Sequence, residues 1–366
     1  MLRISSSIDA VCSVEVTATE RRLLGGIETK CGAWIAVVCL VYMGGCQRAP
    51  DHGALHIGPI AAPLVKIADH KLESGELPQD RSYLTYGVTP YLGVQETKDA
   101  FSPIAKWLSK ELGVEIRFVL ADSYDDLVER FVRKEIDLVQ LSPLSYVVAK
   151  EHMPGLHLLG TSLSFGAAEY SSLLIVRADS TLREMSDLKG NATKIRFGYV
   201  HERSASGFLL PYDALLRNDI DPQRDLKMIR MGSHEHAVKA LMRGQVDLAA
   251  VSSGTLNNVR RGVVIGVGNI RTFYKAGRLP YDAVCAGSWV SDSASQKITS
   301  AFASLSTRTS AGREVLAKAR GVTGWCAATD ERYGVIRKYY HRVRAERWRA
   351  LGRQRAPAQV TPTGDP

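Results

Sequence analysis

The chain has 366 residues, of which 45% are hydrophobic and 23% are charged. This length allows two or three domains, and the composition excludes wholesale disorder, a collagen-like chain and a small disulfide-rich fold. The formal net charge is +9, but between Arg337 and Arg355 eight basic residues are accompanied only by Glu346. The charge therefore indicates a basic C-terminal tail rather than a nucleic-acid-binding domain.

The N-terminal region carries an export pattern. Residues 31–43 form an uncharged, mostly apolar run of thirteen that follows Lys30. This length suits the core of a signal peptide and is short of the roughly twenty residues needed to span a bilayer. The next residues, Gly44-Gly45-Cys46, complete a stretch that resembles the lipobox of bacterial lipoproteins. The sequence predicts a lipoprotein signal peptide over 1–46 with lipidation at Cys46; a plain N-terminal anchor or a buried helix is the alternative.

Residues 47–81 contain four prolines and show no sustained hydrophobic period. Such a segment predicts a tether that holds a globular domain away from the membrane.

The body alternates predicted strands with predicted helices. The first helix ends at Gly113, and Ser142-Pro143 opens the third. This alternation predicts an α/β fold with parallel sheets covered on both faces. Strands are predicted at 83–88, 114–120, 136–141, 156–161, 172–177, 195–200, 226–231 and 246–251, and further helices at 124–133, 208–218 and 235–243.

One local phrase occurs twice. Residues 133–138 read Arg-Lys-Glu-Ile-Asp-Leu, and residues 243–248 read Arg-Gly-Gln-Val-Asp-Leu, each between a predicted helix and a predicted strand. This indicates two similar α/β lobes, and a cleft between lobes is a preferred place for a ligand.

A candidate anion site lies where Ser204-Ala205-Ser206-Gly207 directly precedes a predicted helix. Hydroxyl groups and free backbone N–H groups converge there at the positive end of a helix dipole. A tetrahedral oxyanion can bind in such a turn without a lysine. Simple N-capping by Ser204 or Ser206 is the alternative interpretation.

Motifs for catalysis, metals and cofactors are missing from the sequence. Ser206 lacks the flanking glycines of a nucleophile elbow, and residues 234–236 do not form H-E-x-x-H. Residues 266–268 lack the third glycine of a dinucleotide fingerprint, and no P-loop or CxxC pair is present. The sequence predicts neither an enzyme nor a bound metal or cofactor, and it leaves open whether Cys285 and Cys326 form a disulfide.

A set of stretches in the body carries a family resemblance: 87–92, 111–118, 135–146, 172–180, 187–190, 197–211 and 232–253. Together they resemble the phosphate/phosphite/phosphonate-binding proteins of bacterial ABC importers, a branch of the type II periplasmic binding proteins. The resemblance implies two Rossmann-like lobes joined by a hinge of two crossover strands. It places lobe 1 at 82–178 and 272–345, lobe 2 at 179–271, and a basic, flexible tail at 346–366.

The resemblance also assigns ligand contacts. Serines and backbone N–H groups of residues 204–207 contact the anion, although Ala205 stands where the family commonly has a hydroxyl residue. His234 stands where phosphonate binders place a ligand-contacting histidine. The positions of Tyr91, after the first strand, and Ser142, at the start of a helix in the other lobe, make them further candidates, with plain packing as the alternative for Tyr91.

Two departures from the family pattern bear on the ligand. The glutamate that holds the ligand amine in aminoethylphosphonate binders corresponds here to Gly254, and an aromatic residue expected near Leu141 is missing. A small anion such as phosphate, phosphite or methylphosphonate is therefore favoured. Tyr281 and Asp282 complete the candidate set, because an aspartate can accept a hydrogen bond from a P–OH group.

The predicted protein is an extracytoplasmic, membrane-anchored lipoprotein that captures a small phosphorus oxyanion and delivers it to an ABC permease. No nucleic-acid partner is predicted. The alternatives are a sensory binding protein of the same fold that signals through a membrane kinase or cyclase, and a degenerate enzyme that uses the cleft for catalysis.

Overall fold

Two mixed β-sheets with α-helices packed on them form the fold in the computed structural model, which describes residues 63–67, 69–191, 195–260 and 270–355. The strands are β1 (Tyr83–Val88), β2 (Glu115–Leu120), β3 (Leu138–Leu141), β4 (His157–Ser164), β5 (Glu169–Arg177), β6 (Arg196–Tyr199), β7 (Lys227–Arg230), β8 (Leu248–Ser252), β9 (Ile270–Pro280), β10 (Ala283–Ala286) and β11 (Val322–Cys326).

The helices are α1 (Val94–Leu112), α2 (Tyr124–Val132), α3 (Pro143–His152), α4 (Met185–Asn191), α5 (Leu210–Leu216), α6 (Pro222–Asp225), α7 (His234–Met242), α8 (Ser253–Arg260), α9 (Asp292–Ser304), α10 (Ser310–Val315) and α11 (Gly334–Arg355). A π-helical turn, Ala205–Leu209, continues directly into α5.

The two sheets define two lobes. The first sheet has the order β11-β4-β10-β3-β1-β2, and the second has the order β7-β6-β8-β5-β9. Parallel pairing joins β1 to β2 and β3, and β6 to β7 and β8. The prediction of fully parallel sheets is wrong, because β10 and β5 each arrive from the other lobe and enter their sheets antiparallel.

The lobes meet at two short crossovers, residues 165–168 and 281–282. The sequence placed 172–177 and 272–280 in lobe 1, whereas β5 and β9 pair with each other in the second sheet. The strands β5 and β9 are about a hundred residues apart in the sequence, so no local pattern could have revealed that they pair. The backbone N–H of Tyr281 donates to the carbonyl of Ala168 at 3.0 Å, so the two crossovers run side by side.

The repeated phrase has the same structural role in both lobes. Asp137 accepts the backbone N–H of Thr85 within β1 (2.8 Å), and Asp247 accepts that of Arg196 at the start of β6 (2.9 Å). Before each aspartate the chain leaves its helix through a left-handed residue, Lys134 (φ 64°) or Gly244 (φ 67°). Each aspartate therefore fixes the start of a central parallel strand against its neighbour.

The segment that the sequence assigned to a tether contacts the first lobe over its last part. The N–H of Leu72 donates to the carbonyl of Leu112 at 2.8 Å, and Glu76 pairs with Lys297 at 2.8 Å. Arg81 forms an ion pair with the buried Asp137 at 2.7 Å. Prolines end regular helices and strands but do not prevent irregular backbone from packing on a surface. The predicted tether at 47–81 therefore included residues that belong to the first lobe.

The C-terminal residues form a helix where the sequence predicted a flexible tail from residue 346. The helix α11 continues to Arg355. Its first half packs on the body through Ile336 and Val343, which are buried, and Arg342 pairs with the buried Asp213 of α5. The helix therefore depends on tertiary packing, which the dense positive charge of this stretch concealed.

The remaining expectations concern the N-terminal segment, residues 266–268, the two cysteines of the body and membrane-spanning helices. The signal peptide, Cys46 and residues 266–268 lie outside the described residues. Cys285 and Cys326 are buried free thiols on β10 and β11, which β4 separates. Within the part of the chain that the structure describes, no helix combines the length and the apolar character needed to cross a membrane.

We predict that Asp137→Ala destabilises the fold far more than Asp247→Ala. Asp137 is fully buried and also accepts the Thr85 hydroxyl (2.8 Å) and the Trp289 indole N–H (2.9 Å), so its loss leaves buried donors unpaired. The free energy of unfolding should fall by about 3 kcal/mol or more for Asp137→Ala and by about 1 kcal/mol for the half-buried Asp247. Urea denaturation measures both values, and equal losses would contradict this account.

Candidate functional site

A cavity of about 70 Å³ lies between the lobes at the carboxyl ends of the parallel strands. The loops that follow β1, β2 and β3 line it from one side, and those that follow β6, β7 and β8 line it from the other. Ligands of α/β proteins commonly bind at such strand ends. The lining residues are Thr89, Tyr91, Leu92, Tyr124, Gln140, Ser142, Ser162, Ser164, Tyr170, Ser204, Ala205, Ser206, His234, Ser252, Gly254, Thr255, Asn258, Tyr281, Asp282, Arg320 and Val322.

Every ligand residue predicted from the sequence lines this cavity except Gly207. A Cβ atom at Gly207 would lie 2.4 Å from Val200 Cγ2, so glycine is needed there for close packing. Its N–H donates to Ser204 Oγ at 3.0 Å and is therefore used within the turn. The structure thus brings together residues from five separate segments that the sequence could place only one by one.

The turn at Ser204 is the N-terminus of a helical segment that begins at Ala205, three residues earlier than the predicted helix at 208. Ser204 acts as the N-cap, and its Oγ also forms a hydrogen bond with Tyr124. The first N–H groups of a helix lack partners within the helix, so those of Ala205 and Ser206 are suited to an anion. Capping and anion binding are compatible here, because they use different atoms.

Ser206 is oriented by two neighbours in the second lobe. Its Oγ accepts the Tyr170 hydroxyl at 3.2 Å, and its carbonyl accepts the Ser172 hydroxyl at 2.8 Å. Because the Oγ accepts from Tyr170, the Ser206 hydroxyl proton is available to donate.

His234 is the first residue of α7 and is buried against the cavity. Its Nδ1 accepts the backbone N–H of Ser252 at 3.3 Å, which assigns the ring proton to Nε2. Burial lowers the pKa of the imidazole to about 4. At neutral pH His234 is therefore an uncharged N–H donor.

Asp282 lies on the second crossover. Burial raises the pKa of its carboxyl to about 7, although a hydrogen bond from Gln140 opposes this shift. Near neutral pH the group can therefore accept a hydrogen bond as a carboxylate or donate one as an acid. Its neighbour Tyr281 stacks on Tyr170 with ring centroids 4.5 Å apart, which joins the crossover to β5.

Four tyrosines surround the cavity, and the sequence identified only two of them. Burial raises the pKa of Tyr91, Tyr124, Tyr170 and Tyr281, so all four remain protonated hydroxyl donors. Tyr124 could have been found from the repeat, because it follows Ser123 as His234 follows Ser233. Tyr170 had no such signal, since β5 was assigned to the other lobe.

Ser142 lines the cavity but also serves the backbone. As N-cap of α3 it accepts the N–H of Ser145 at 3.3 Å, and its hydroxyl contacts the carbonyl of Arg203 in the other lobe at 3.0 Å. This residue therefore joins the two lobes beside the cavity.

The cavity wall carries few charged side chains. Among the lining residues Asp282 is the acidic side chain and Arg320 is the basic one. The remaining polar groups are hydroxyls, amides and the neutral His234. At the position where the family pattern expects a glutamate, Gly254 presents only hydrogen atoms. Among the described residues no cluster of acids, histidines and cysteines could hold a metal ion.

Comparison with known proteins identifies the family. Residues 86–333 match the family model described as the periplasmic substrate-binding protein of phosphonate ABC transporters. The chain belongs to this family, whose members are transport proteins rather than enzymes, and the fold class and family expected from the sequence are confirmed.

Individual relatives are distant. The chain is similar to the phosphonates-binding periplasmic protein of Escherichia coli K12, with 24% identity over 232 residues, or 63% of this chain and 68% of that protein. It is 28% identical over 173 residues to the phosphate-import protein PhnD of Mycolicibacterium smegmatis, covering 45% of this chain and only 53% of that protein.

A solved structure supports the two-lobed fold. PhnD1 of Prochlorococcus marinus, crystallised with methylphosphonate, superposes with a TM-score of 0.63 at 20% identity, covering 72% of this chain and 98% of that chain. At this level of identity the comparison shows the fold alone.

We predict that acidification destabilises the protein partly through His234. The imidazole pKa rises from about 4 in the folded protein to its ordinary value of 6.5 on unfolding, so the unfolded chain binds more protons in this interval. The free energy of unfolding should therefore rise with pH across it, and between pH 4.5 and 7 by about 2–3 kcal/mol more than in His234→Gln. Urea denaturation at the two pH values gives this difference, and parallel pH profiles would contradict the assignment of a buried neutral imidazole.

Proposed function

We propose that this protein captures a small phosphorus oxyanion, namely phosphate, phosphite or an alkylphosphonate, in the cavity between its lobes and delivers it to an ABC permease. The observation that carries the proposal is the convergence of neutral donors from both lobes on one small cavity. The hydroxyls of Ser204 and Ser206, the N–H groups of Ala205 and Ser206, the His234 imidazole and the tyrosine hydroxyls supply these donors. Hydrogen bonds from neutral groups bind an anion without placing a lysine in a desolvated pocket.

The size of the cavity supports a small ligand. A cavity needs about 10–15 Å³ to hold one water molecule. The observed volume of about 70 Å³ therefore has room for about five non-hydrogen atoms. Phosphate and methylphosphonate have that size, whereas an aminoalkyl chain would need further space.

The charge distribution supports the same ligand class. Gly254 offers no carboxylate, so a cationic tail would have Asp282 as its single acidic partner among the lining residues. Asp282 is instead suited to a P–OH group, from which its carboxylate accepts a hydrogen bond. The names of the relatives that bind phosphonate, phosphate and methylphosphonate agree with this choice.

The proposed setting is outside the cytoplasm, with a lipid anchor at Cys46. The apolar run 31–43 and the Gly44-Gly45-Cys46 stretch support export and acylation. A chain anchored in this way would hold the cleft close to a membrane permease.

Replacing both Ser204 and Ser206 by alanine should abolish tight oxyanion binding. Two hydrogen bonds to a charged group are lost, each worth about 1.5–3 kcal/mol, so the Kd should rise at least about a hundredfold. Calorimetry with methylphosphonate, phosphite and phosphate measures the change.

The matched control is Ser123→Ala, which removes the N-cap of α2 outside the cavity lining. It should cost about 1 kcal/mol of stability and leave the Kd unchanged. A double variant that binds as tightly as the parent would place the anion site elsewhere.

The anchor is tested by Cys46→Ala, which should move the protein from the membrane fraction to the soluble fraction. Acyl chains hold a protein firmly only when more than one is attached, and the substitution removes the cysteine that would carry them. Fractionation of cells that produce each form gives the result, and unchanged membrane retention would contradict lipidation at this residue.

A further inference from the structure

Two ion pairs cross from one lobe to the other beside the cavity. Arg203, before the π-helical turn of the second lobe, donates from Nε to Asp125 Oδ1 of α2 at 2.6 Å. Arg320, before β11 of the first lobe, places Nη1 3.4 Å from Glu235 Oε1 of α7. Each lobe thus contributes one arginine and one acid.

The two acids occupy equivalent positions in the repeat. Ser123 and Ser233 cap α2 and α7, and each is followed by a cavity-lining residue, Tyr124 or His234, and then by the acid. Asp125 and Glu235 themselves do not line the cavity. The repeat therefore places an acid of each lobe next to the residue that faces the ligand site.

A second contact holds each arginine residue to the opposite lobe. The carbonyl of Arg203 lies 3.0 Å from the Ser142 hydroxyl, and the carbonyl of Arg320 accepts the Asn258 amide N–H at 3.0 Å. Arg203 and Ser142 belong to different lobes, as do Arg320 and Asn258, so a separation of the lobes would break both contacts.

We propose that Arg203–Asp125 and Arg320–Glu235 are positioning pairs that stabilise the closed cleft and thereby strengthen the binding of every oxyanion by the same factor. This inference rests on the proposed function, because it concerns the affinity of that same cavity. A ligand that touches both lobes binds the closed state, so any contact that favours closure raises its apparent affinity.

The expected effect of each pair is modest. The side chains of Arg203 and Asp125 are 32% and 45% exposed, which places their pair among those that contribute little individually. Glu235 is buried, and burial raises the pKa of its carboxyl, an effect that Arg320 and Lys239 only partly oppose. Since burial disfavours the charged carboxylate, we do not expect the Arg320–Glu235 pair to contribute more than the Arg203–Asp125 pair. We expect about two- to fivefold weaker binding for Asp125→Asn or Glu235→Gln, and about four- to twenty-five-fold weaker binding for both together.

The experiment measures two quantities on the full chain. Calorimetry gives the Kd for methylphosphonate, phosphite and phosphate, and small-angle scattering gives the radius of gyration without ligand. The variants are Asp125→Asn, Glu235→Gln and their combination. The matched control is Asp247→Asn, which breaks an ion pair of similar exposure, 36% and 31%, within the second lobe.

The proposal predicts that the double variant binds all three anions more weakly by a common factor and has a larger radius of gyration than the parent, while Asp247→Asn changes neither. Unchanged Kd and radius in the double variant would overturn it, as would a change in the ratio of the Kd values, which would indicate direct ligand contact. If the parent bound none of the three anions, the proposed function would fail, and the radius of gyration would still decide whether the pairs hold the lobes closed.

Discussion

Closure of two lobes over one small, sparsely charged cavity is the constraint on which the rest of the structure depends. The proposed anion donors are divided between the lobes: the turn at Ser204 and the imidazole of His234 lie in one, and the hydroxyls of Tyr91 and Tyr124 lie in the other. Neither half alone would replace the hydration shell of an oxyanion. The hinge, the strand ends and the interlobe contacts all act to bring these donors together.

The two lobes meet this requirement with the same local construction. In both, three parallel strands end at the cavity, and an aspartate fixes the start of one of them against its neighbour. The loops at the strand ends are free to carry polar residues, because the strands behind them are buried and fixed. Neutral donors suit the proposed anion, since a hydrogen bond is electrostatically stronger in the low dielectric of a protein interior than in water.

Much of this arrangement could be predicted from the sequence, because it depends on local pattern. The strand predicted at 83–88 coincides with β1, and the serines before a predicted helix identified the Ser204 turn. The predictions that failed depend on contacts between residues far apart in the sequence. The pairing of β5 with β9, and hence the place of Tyr170, depends on strands about a hundred residues apart. The helical start of the basic C-terminal segment was also missed, because the burial of Ile336 and Val343 and the Arg342–Asp213 ion pair are tertiary contacts, which composition does not report.

The most direct test is a crystal structure of the protein grown with methylphosphonate. The account predicts one anion in the cavity, with its oxygens within hydrogen-bond distance of the N–H groups of Ala205 and Ser206 and of His234 Nε2, and with the two lobes closed around it. An anion bound outside this cavity, or an empty cavity at saturating methylphosphonate, phosphite and phosphate, would contradict it.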